Sequence, residues 1–174
     1  TDTTAGQPAK ASALLPLPQA ELLPRYREAK AKGDALRADK VGACWRQPWE
    51  ELTAEFLRIY TSRKDWAISP GALFRAAASQ EALSDCSHIA DEYRQARDLY
   101  LKLAQEFPKS ALADDSLLRA ASIEADRLNQ TSEALELLDA IMAPYSGGAM
   151  VAAAQALGLI AAPFPEDLGG LGLD

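Results

Sequence analysis

Hydrophobic residues recur along most of this chain at intervals of three and four, the spacing that places side chains on one face of an α-helix. The clearest stripe follows Pro48 and comprises Trp49, Leu52, Phe56, Ile59 and Tyr60. A second stripe comprises Tyr93, Ala96, Leu99, Tyr100, Leu103 and Phe107. No segment alternates apolar and polar positions over a β-branched run, so the pattern predicts an all-α protein.

Parts of this pattern repeat. Segment 96–107 recurs as segment 134–145, an offset of 38 residues, and Leu-Phe-Arg-Ala-Ala at 73–77 recurs as Leu-Leu-Arg-Ala-Ala at 117–121. Helical hairpins repeated at such a period stack so that each buries its apolar face on the next. We therefore predict an array of antiparallel helical hairpins, an α-α superhelix of about seven helices. The repeat positions expected to be buried are Ala96, Tyr100, Leu103, Ala134, Leu138 and Ile141.

Breakers and caps divide the chain into a flexible leader at 1–18, a helical repeat domain at 19–162 and a Pro/Gly-rich tail or linker at 163–174. Pro24 suits only the first turn of a helix, so the first helix is expected to begin near residue 22. Ser69 followed by Pro70 predicts an N-cap and a helix start. The predicted helices cover about residues 22–40, 48–60, 70–87, 89–106, 111–128, 132–143 and 149–161.

Charge narrows the range of partners. The formal net charge is −7, and residues 111–174 carry ten acidic residues against two arginines. An acidic chain does not suit nucleic acid, which binds basic surfaces. The acidic half is either a solvated helix surface or a docking face for a basic partner. The longest apolar run, 149–162, has 14 residues and contains Gln155, whereas a membrane-spanning helix needs about 20.

Catalytic and metal-binding chemistry has few candidates here. The chain has one histidine, His88, which is expected to lie at a surface or to cap a helix end. Adjacent carboxylates such as Asp114 and Asp115 diverge on a helix and do not share a metal or a proton. The glycines at 169–172 lack the strand and helix of a phosphate-binding loop. The sequence therefore predicts no catalytic residue, no metal site and no cofactor.

Two further features concern cysteine and tryptophan. If the helices after Pro48 and Pro70 are antiparallel about a turn near Asp65, then residues at one level have numbers that sum to about 130, as Cys44 and Cys86 do. These cysteines are either bonded, in an oxidising compartment, or two buried free thiols. Trp45 and Trp49 are assigned to the core. Trp66 lies in a charged turn, where it either contacts a partner or packs over a helix end.

The unit Ala96, Tyr100, Leu103, Pro108 resembles the second helix of a tetratricopeptide repeat. The turn Phe-Pro-Lys-Ser at 107–110 and the Ala-Asp-Asp-Ser-Leu that follows at 113–117 are similar to the bacterial envelope branch of that family, which includes assembly lipoproteins and periplasmic coordinators. The resemblance covers about residues 48–160. It implies a helical hairpin array that binds proteins of the envelope. The repeats span 38 to 44 residues rather than about 34, so the superhelix is expected to be irregular.

A narrower resemblance rests on segments 25–30, 46–49, 72–77 and 107–110, which are similar to the non-catalytic N-terminal region of bacterial N-acetylmuramoyl-L-alanine amidases. It implies an interaction or targeting module ahead of a zinc amidase domain. The alternative is a stand-alone periplasmic or outer-membrane coordinator lipoprotein. The start at Thr1 and the small, polar leader lead us to expect a processed or trimmed chain that is exported, periplasmic or envelope-anchored.

Overall fold

The computed structural model describes residues 16–142, the last two by their backbone alone, and over this range the chain forms three consecutive helical hairpins. Each helix packs mainly on the next one along the chain, and the described range contains no strand. The predicted all-α hairpin array is therefore confirmed. The seventh predicted helix, the leader up to residue 15 and the tail at 163–174 lie outside the described residues. The helices are α1 (Gln19–Ala38), α2 (Arg46–Ser62), α3 (Ser69–Ser87), α4 (Ala90–Glu106), α5 (Leu112–Ser122) and α6 (Thr131–Met142).

The core runs along the array as three successive apolar clusters. The first lies among α1, α2 and α3 and includes Leu103 of α4, the second lies among α3, α4 and α5, and the third lies between α5 and α6. The α2 stripe supplies the largest side chains of the first cluster, and all five predicted members are buried. Removal of this apolar surface from water is the main term that stabilises each hairpin on its neighbour.

The equivalent repeat positions are buried, as their spacing predicts. Ala96, Tyr100 and Leu103 on α4 are fully buried, and Ala134 and Leu138 on α6 are nearly so. The side chain of Ile141 lies outside the described residues. The small residues of the pattern let neighbouring helices approach closely, while the large ones fill the space between them.

The first helix departs from the sequence-based expectation. It begins at Gln19 rather than near residue 22, so Pro24 lies inside it, beyond the first turn. Leu22 is completely buried in the first core cluster, and Leu17 just before the helix is also buried. Packing of these two side chains outweighs the hydrogen bond that proline removes from a helix.

The predicted role of Ser69 as an N-cap is wrong. Ser69 is the first residue of α3, and its hydroxyl donates a hydrogen bond to the carbonyl oxygen of Arg63 in the preceding turn. Pro70 still occupies the first turn, where its missing N–H removes no helical hydrogen bond. At α5 the hydroxyl of Ser110 accepts a hydrogen bond from the Leu112 N–H over 3.2 Å, so this serine does satisfy the first turn of the following helix.

The fifth helix changes type before it ends. After α5 the backbone widens into a π-helical turn over Ile123–Arg127, and the N–H of Leu128 bonds to the carbonyl of Ile123. Asn129 then adopts a left-handed conformation with φ of 54°. Such π-turns insert one residue into the helical phase and so rotate the side chains that follow. Here the turn carries Glu124 inward, where it is buried.

Candidate interaction surfaces

The first helices of the three hairpins, α1, α3 and α5, lie side by side and carry ion pairs between them. Arg75 on α3 pairs with Asp34 on α1 over 3.1 Å. Arg119 on α5 pairs with Glu81 on α3 over 3.5 Å. Since Arg75 and Arg119 are the arginines of the repeated Leu-x-Arg-Ala-Ala segments, the repeat places one arginine at each junction between first helices.

Between these helices lies a groove of about 300 Å³, which we name the arginine groove. Arg37 of α1 reaches across it and donates a hydrogen bond to the carbonyl oxygen of Ala78 over 3.3 Å. The same guanidinium lies over the Trp49 ring at 5.4 Å, in the geometry of a cation–π contact. The residues that define the groove are Arg37, Phe74, Arg75, Glu81, Tyr100 and Arg119.

Tyr100 forms the base of the arginine groove. Its hydroxyl donates a hydrogen bond of 2.7 Å to Glu81, and its ring meets Phe74 edge-on with centroids 5.4 Å apart. Burial raises the pKa of Tyr100 well above its ordinary value, and the neighbouring Glu81 carboxylate raises it further. Tyr100 therefore stays protonated and holds one oxygen of Glu81 in place, while Arg119 approaches the other.

The groove continues onto α5. A second depression of about 430 Å³ shares Phe74 and Arg119 with the arginine groove and adds Asp115, Leu118 and Ser122. The combined surface alternates guanidinium groups, carboxylates and apolar side chains. Such a lining suits an extended polypeptide, whose backbone and side chains offer all three kinds of contact.

At one end of this surface, the Asp85 carboxylate interacts with two donor side chains. Asp85 of α3 accepts a hydrogen bond from the Tyr93 hydroxyl over 3.0 Å and pairs with Arg127 over 3.1 Å. Arg127 comes from the π-helical turn and lies 5.8 Å above the Tyr93 ring. The turn therefore links the third hairpin to the second.

The same turn also contributes a buried ion pair. Glu124 is almost completely buried, and one of its oxygens lies 2.6 Å from Arg97 on α4. Its other oxygen has no hydrogen-bond partner among the described residues. A buried carboxylate depends on its cation, because an uncompensated charge in the interior is costly.

The two cysteines meet where the first two hairpins join. The structure joins Cys44 and Cys86 in a disulfide with Cα atoms 5.3 Å apart, inside the range that a disulfide requires. Cys44 belongs to the short 3-10 turn Gly42–Cys44, and Cys86 lies in the last turn of α3. The same turn is held by Trp49, whose ring nitrogen donates a 2.7 Å hydrogen bond to the carbonyl of Ala43. Bonding of these cysteines in the natural protein stays a prediction.

The tryptophans are distributed differently from the sequence-based assignment. Trp49 is buried, but Trp45 is 61% exposed, so its assignment to the core is wrong. Trp45 precedes α2 with extended backbone, and the helical phase that buries Trp49 does not reach it. Trp66 is partly buried and packs against the first core cluster. Its contact with a partner stays a prediction.

His88 is exposed at the end of α3, where it adopts a left-handed conformation and its N–H bonds to the Ser84 carbonyl over 2.8 Å. Across residues 16–142, no three histidine, cysteine or acidic side chains are grouped to hold a metal ion. Over the same range, no helix has both the length and the apolar character that a bilayer crossing requires.

Comparison with known proteins gives one family match. A tetratricopeptide repeat model matches residues 71–110, which cover most of α3, all of α4 and the turn after it. Neither the curated proteins nor the solved structures contain a match to the chain. The matched repeat and the all-α array together indicate a protein-interaction module.

Proposed function

We propose that the chain is a non-catalytic interaction and targeting module of the bacterial cell envelope, and that it forms the N-terminal part of a cell-wall N-acetylmuramoyl-L-alanine amidase. The observation that carries the interaction role is the arginine groove, which spans the first helices of all three described hairpins. The resemblance of segments 25–30, 46–49, 72–77 and 107–110 supports the placement in an amidase.

The groove supports binding of an extended protein segment. Its arginines are paired with carboxylates across helix junctions. An acidic group of the partner can pair with one of these arginines while a basic group pairs with the carboxylate that is released. No charge is then left unpaired in the interface. Phe74 supplies an apolar contact in both parts of the groove. The order of charges along the groove selects the partner segment that binds. The buried Tyr100 holds the groove in its binding conformation before the partner arrives.

The residue types in the chain indicate that the catalytic and targeting roles belong to different parts of the protein. A zinc amidase of the type resembled needs two histidines and a glutamate around the metal, with an open position for water. This chain has a single histidine, which caps a helix end. We therefore assign hydrolysis to another part of the protein and assign to this module the targeting of the enzyme to its site of action.

Two experiments test the proposal. The reading frame of the natural gene is expected to continue into a domain with two histidines and a glutamate; a stop codon after residue 174 would favour the stand-alone coordinator lipoprotein instead. A photoreactive residue at position 119 in the full-length protein, expressed in the native bacterium, is expected to crosslink to an envelope protein. A photoreactive residue at position 95, exposed on α4, serves as the control.

A further inference from the structure

A second groove lies at the N-terminal end of the described array. α1 packs on α2 less closely than α2 packs on α3, and the space between them forms a groove of about 600 Å³. Its lining comes from α1 and α2, with no contribution from α3. We name it the α1–α2 groove, with Ala29, Leu36, Pro48 and Leu52 as its apolar floor.

The rims of the α1–α2 groove are charged and unbalanced. Arg25 pairs with Glu55 over 3.1 Å, and Lys32 pairs with Glu28 over 2.7 Å. Glu51 accepts a hydrogen bond from the neutral Gln47 and has no cationic partner within 4 Å among the described residues. The lining therefore keeps a net negative charge with Glu51 at its rim.

The loop at one end of this groove exposes large apolar side chains. The groove lining ends at Asp39, the residue just after α1, and resumes at Pro48 on α2. Between them the chain carries Val41 and Trp45, which are 77% and 61% exposed. The predicted disulfide between Cys44 and Cys86 would fix this loop to α3. Exposed aromatic residues on a fixed framework are the residues that most often anchor a protein partner.

We propose that the α1–α2 groove and its loop are the docking site for an amphipathic helix of a protein partner. The lining on the α1 side runs from Arg25 to Asp39, the C-cap of α1, which is about 21 Å along the helix axis or about four turns. The partner helix places an apolar stripe over Leu36 and Leu52, and a lysine or arginine opposite Glu51. The proposal rests on the protein-interaction role above but uses a different surface from the arginine groove.

Charge favours this occupant. The net negative lining repels an anionic membrane surface and attracts a basic helix. A second copy of the chain, whose net charge is −7, would bring further negative charge to this lining and is therefore disfavoured.

The test uses two synthetic helical peptides of 16 residues with the same leucine stripe, one flanked by lysine and the other by glutamate. Fluorescence anisotropy measures their binding to the full 174-residue chain. The lysine peptide is expected to bind at least tenfold more tightly than the glutamate peptide. Glu51→Lys and Ala35→Trp, both at exposed groove positions, should each weaken binding of the lysine peptide at least tenfold. Ala31→Trp, exposed on α1 outside the groove, should leave binding unchanged.

Circular dichroism of each variant checks that the fold is kept. Equal affinity for the two peptides, or binding unaffected by Ala35→Trp, would overturn the proposal. A photoreactive residue at position 35 that crosslinks to residues 1–15 or to a second copy of the chain would overturn it as well. Because the proposed function is tested at position 119 and this docking site at position 35, failure of one is distinguished from failure of the other.

Discussion

The hydroxyl of Tyr100 on α4 donates a 2.7 Å hydrogen bond to Glu81 on α3, directly beneath the arginine groove. One residue therefore serves both the core and the proposed binding surface. Its ring fills the space between two helices of a hairpin, and its hydroxyl orients a carboxylate that also pairs with Arg119 on the next hairpin.

Two substitutions at Tyr100 should separate the contribution of its ring to stability from that of its hydroxyl. Tyr100→Ala should lower the free energy of unfolding by about 3–5 kcal/mol, as other large-to-small core changes do. Tyr100→Phe keeps the ring and should cost about 1.5–3 kcal/mol, the loss of one hydrogen bond to a charged acceptor. Urea denaturation followed by circular dichroism measures both. A Tyr100→Ala protein as stable as the natural chain would contradict the packing described here.

The buried pair of Arg97 and Glu124 gives a second prediction. Arg97→Leu leaves the Glu124 carboxylate buried without its cation, and it should cost about 3–5 kcal/mol. Arg94→Leu on the same helix removes an exposed pair with Asp91 and should cost about 1 kcal/mol or less. Equal losses for the two variants, measured by urea denaturation, would show that Glu124 does not depend on Arg97.

Stability should fall in acid, in part through Glu92. The hydrogen bond from Arg46 holds the pKa of Glu92 below its ordinary value of 4.5, and the Ser87 hydroxyl lowers it further. A carboxylate with a depressed folded-state pKa stabilises the fold above its unfolded-state pKa, and this contribution is lost as the pH falls through the folded-state value. Thermal unfolding should therefore shift to lower temperature below about pH 4.5.

Two variants assign this part of the acid dependence. Glu92→Gln and Arg46→Gln each break the pair at 2.6 Å, so both should show a shallower loss of stability between pH 5 and pH 2. A slope identical to that of the natural chain in both variants would assign the acid dependence to other carboxylates, such as Glu106, whose pKa is lowered by its hydrogen bond from Tyr60.

The fourth prediction concerns the disulfide. Thiol titration of the denatured, unreduced protein should find no free thiol, since the two cysteines of the chain, Cys44 and Cys86, are predicted to be bonded to each other. The bond closes a loop with a sequence separation of 42 residues, for which chain entropy assigns roughly 4 kcal/mol of stabilisation. The double variant Cys44→Ser with Cys86→Ser should lose up to that amount. Two free thiols in protein purified without reductant would contradict the prediction.

The spacing of hydrophobic residues predicted which side chains of α2, α4 and α6 are buried. The α2 stripe and the repeat positions on α4 and α6 are buried, because large apolar side chains at helical spacing have few alternatives to the core. Spacing could not predict that Pro24 lies within α1. Burial of Leu22 against the neighbouring helices outweighs the helical hydrogen bond that proline removes, and the sequence pattern does not show this tertiary contact.

The interaction surfaces were harder to derive. The arginines at 75 and 119 were visible as members of a repeat, but their pairing across first helices depends on the tertiary register. The prediction that Trp45 is buried treats it as part of a helical stripe, but Trp45 has extended backbone just ahead of α2 and is exposed. The π-helical turn left no sequence signal, since it differs from an α-helix by one residue in phase.

The most direct test of the proposed interaction role is site-specific photo-crosslinking from the arginine groove. If the chain has the proposed function, a photoreactive residue replacing Arg119 in the full-length protein should crosslink to one defined protein of the envelope when it is expressed in its native organism. The same residue replacing Gln95, exposed on α4, should not crosslink to that protein. Mass spectrometry of the product should map an extended segment of the partner to the groove. Equal crosslinking from both positions, or none from position 119, would contradict the claim that this groove binds a protein partner.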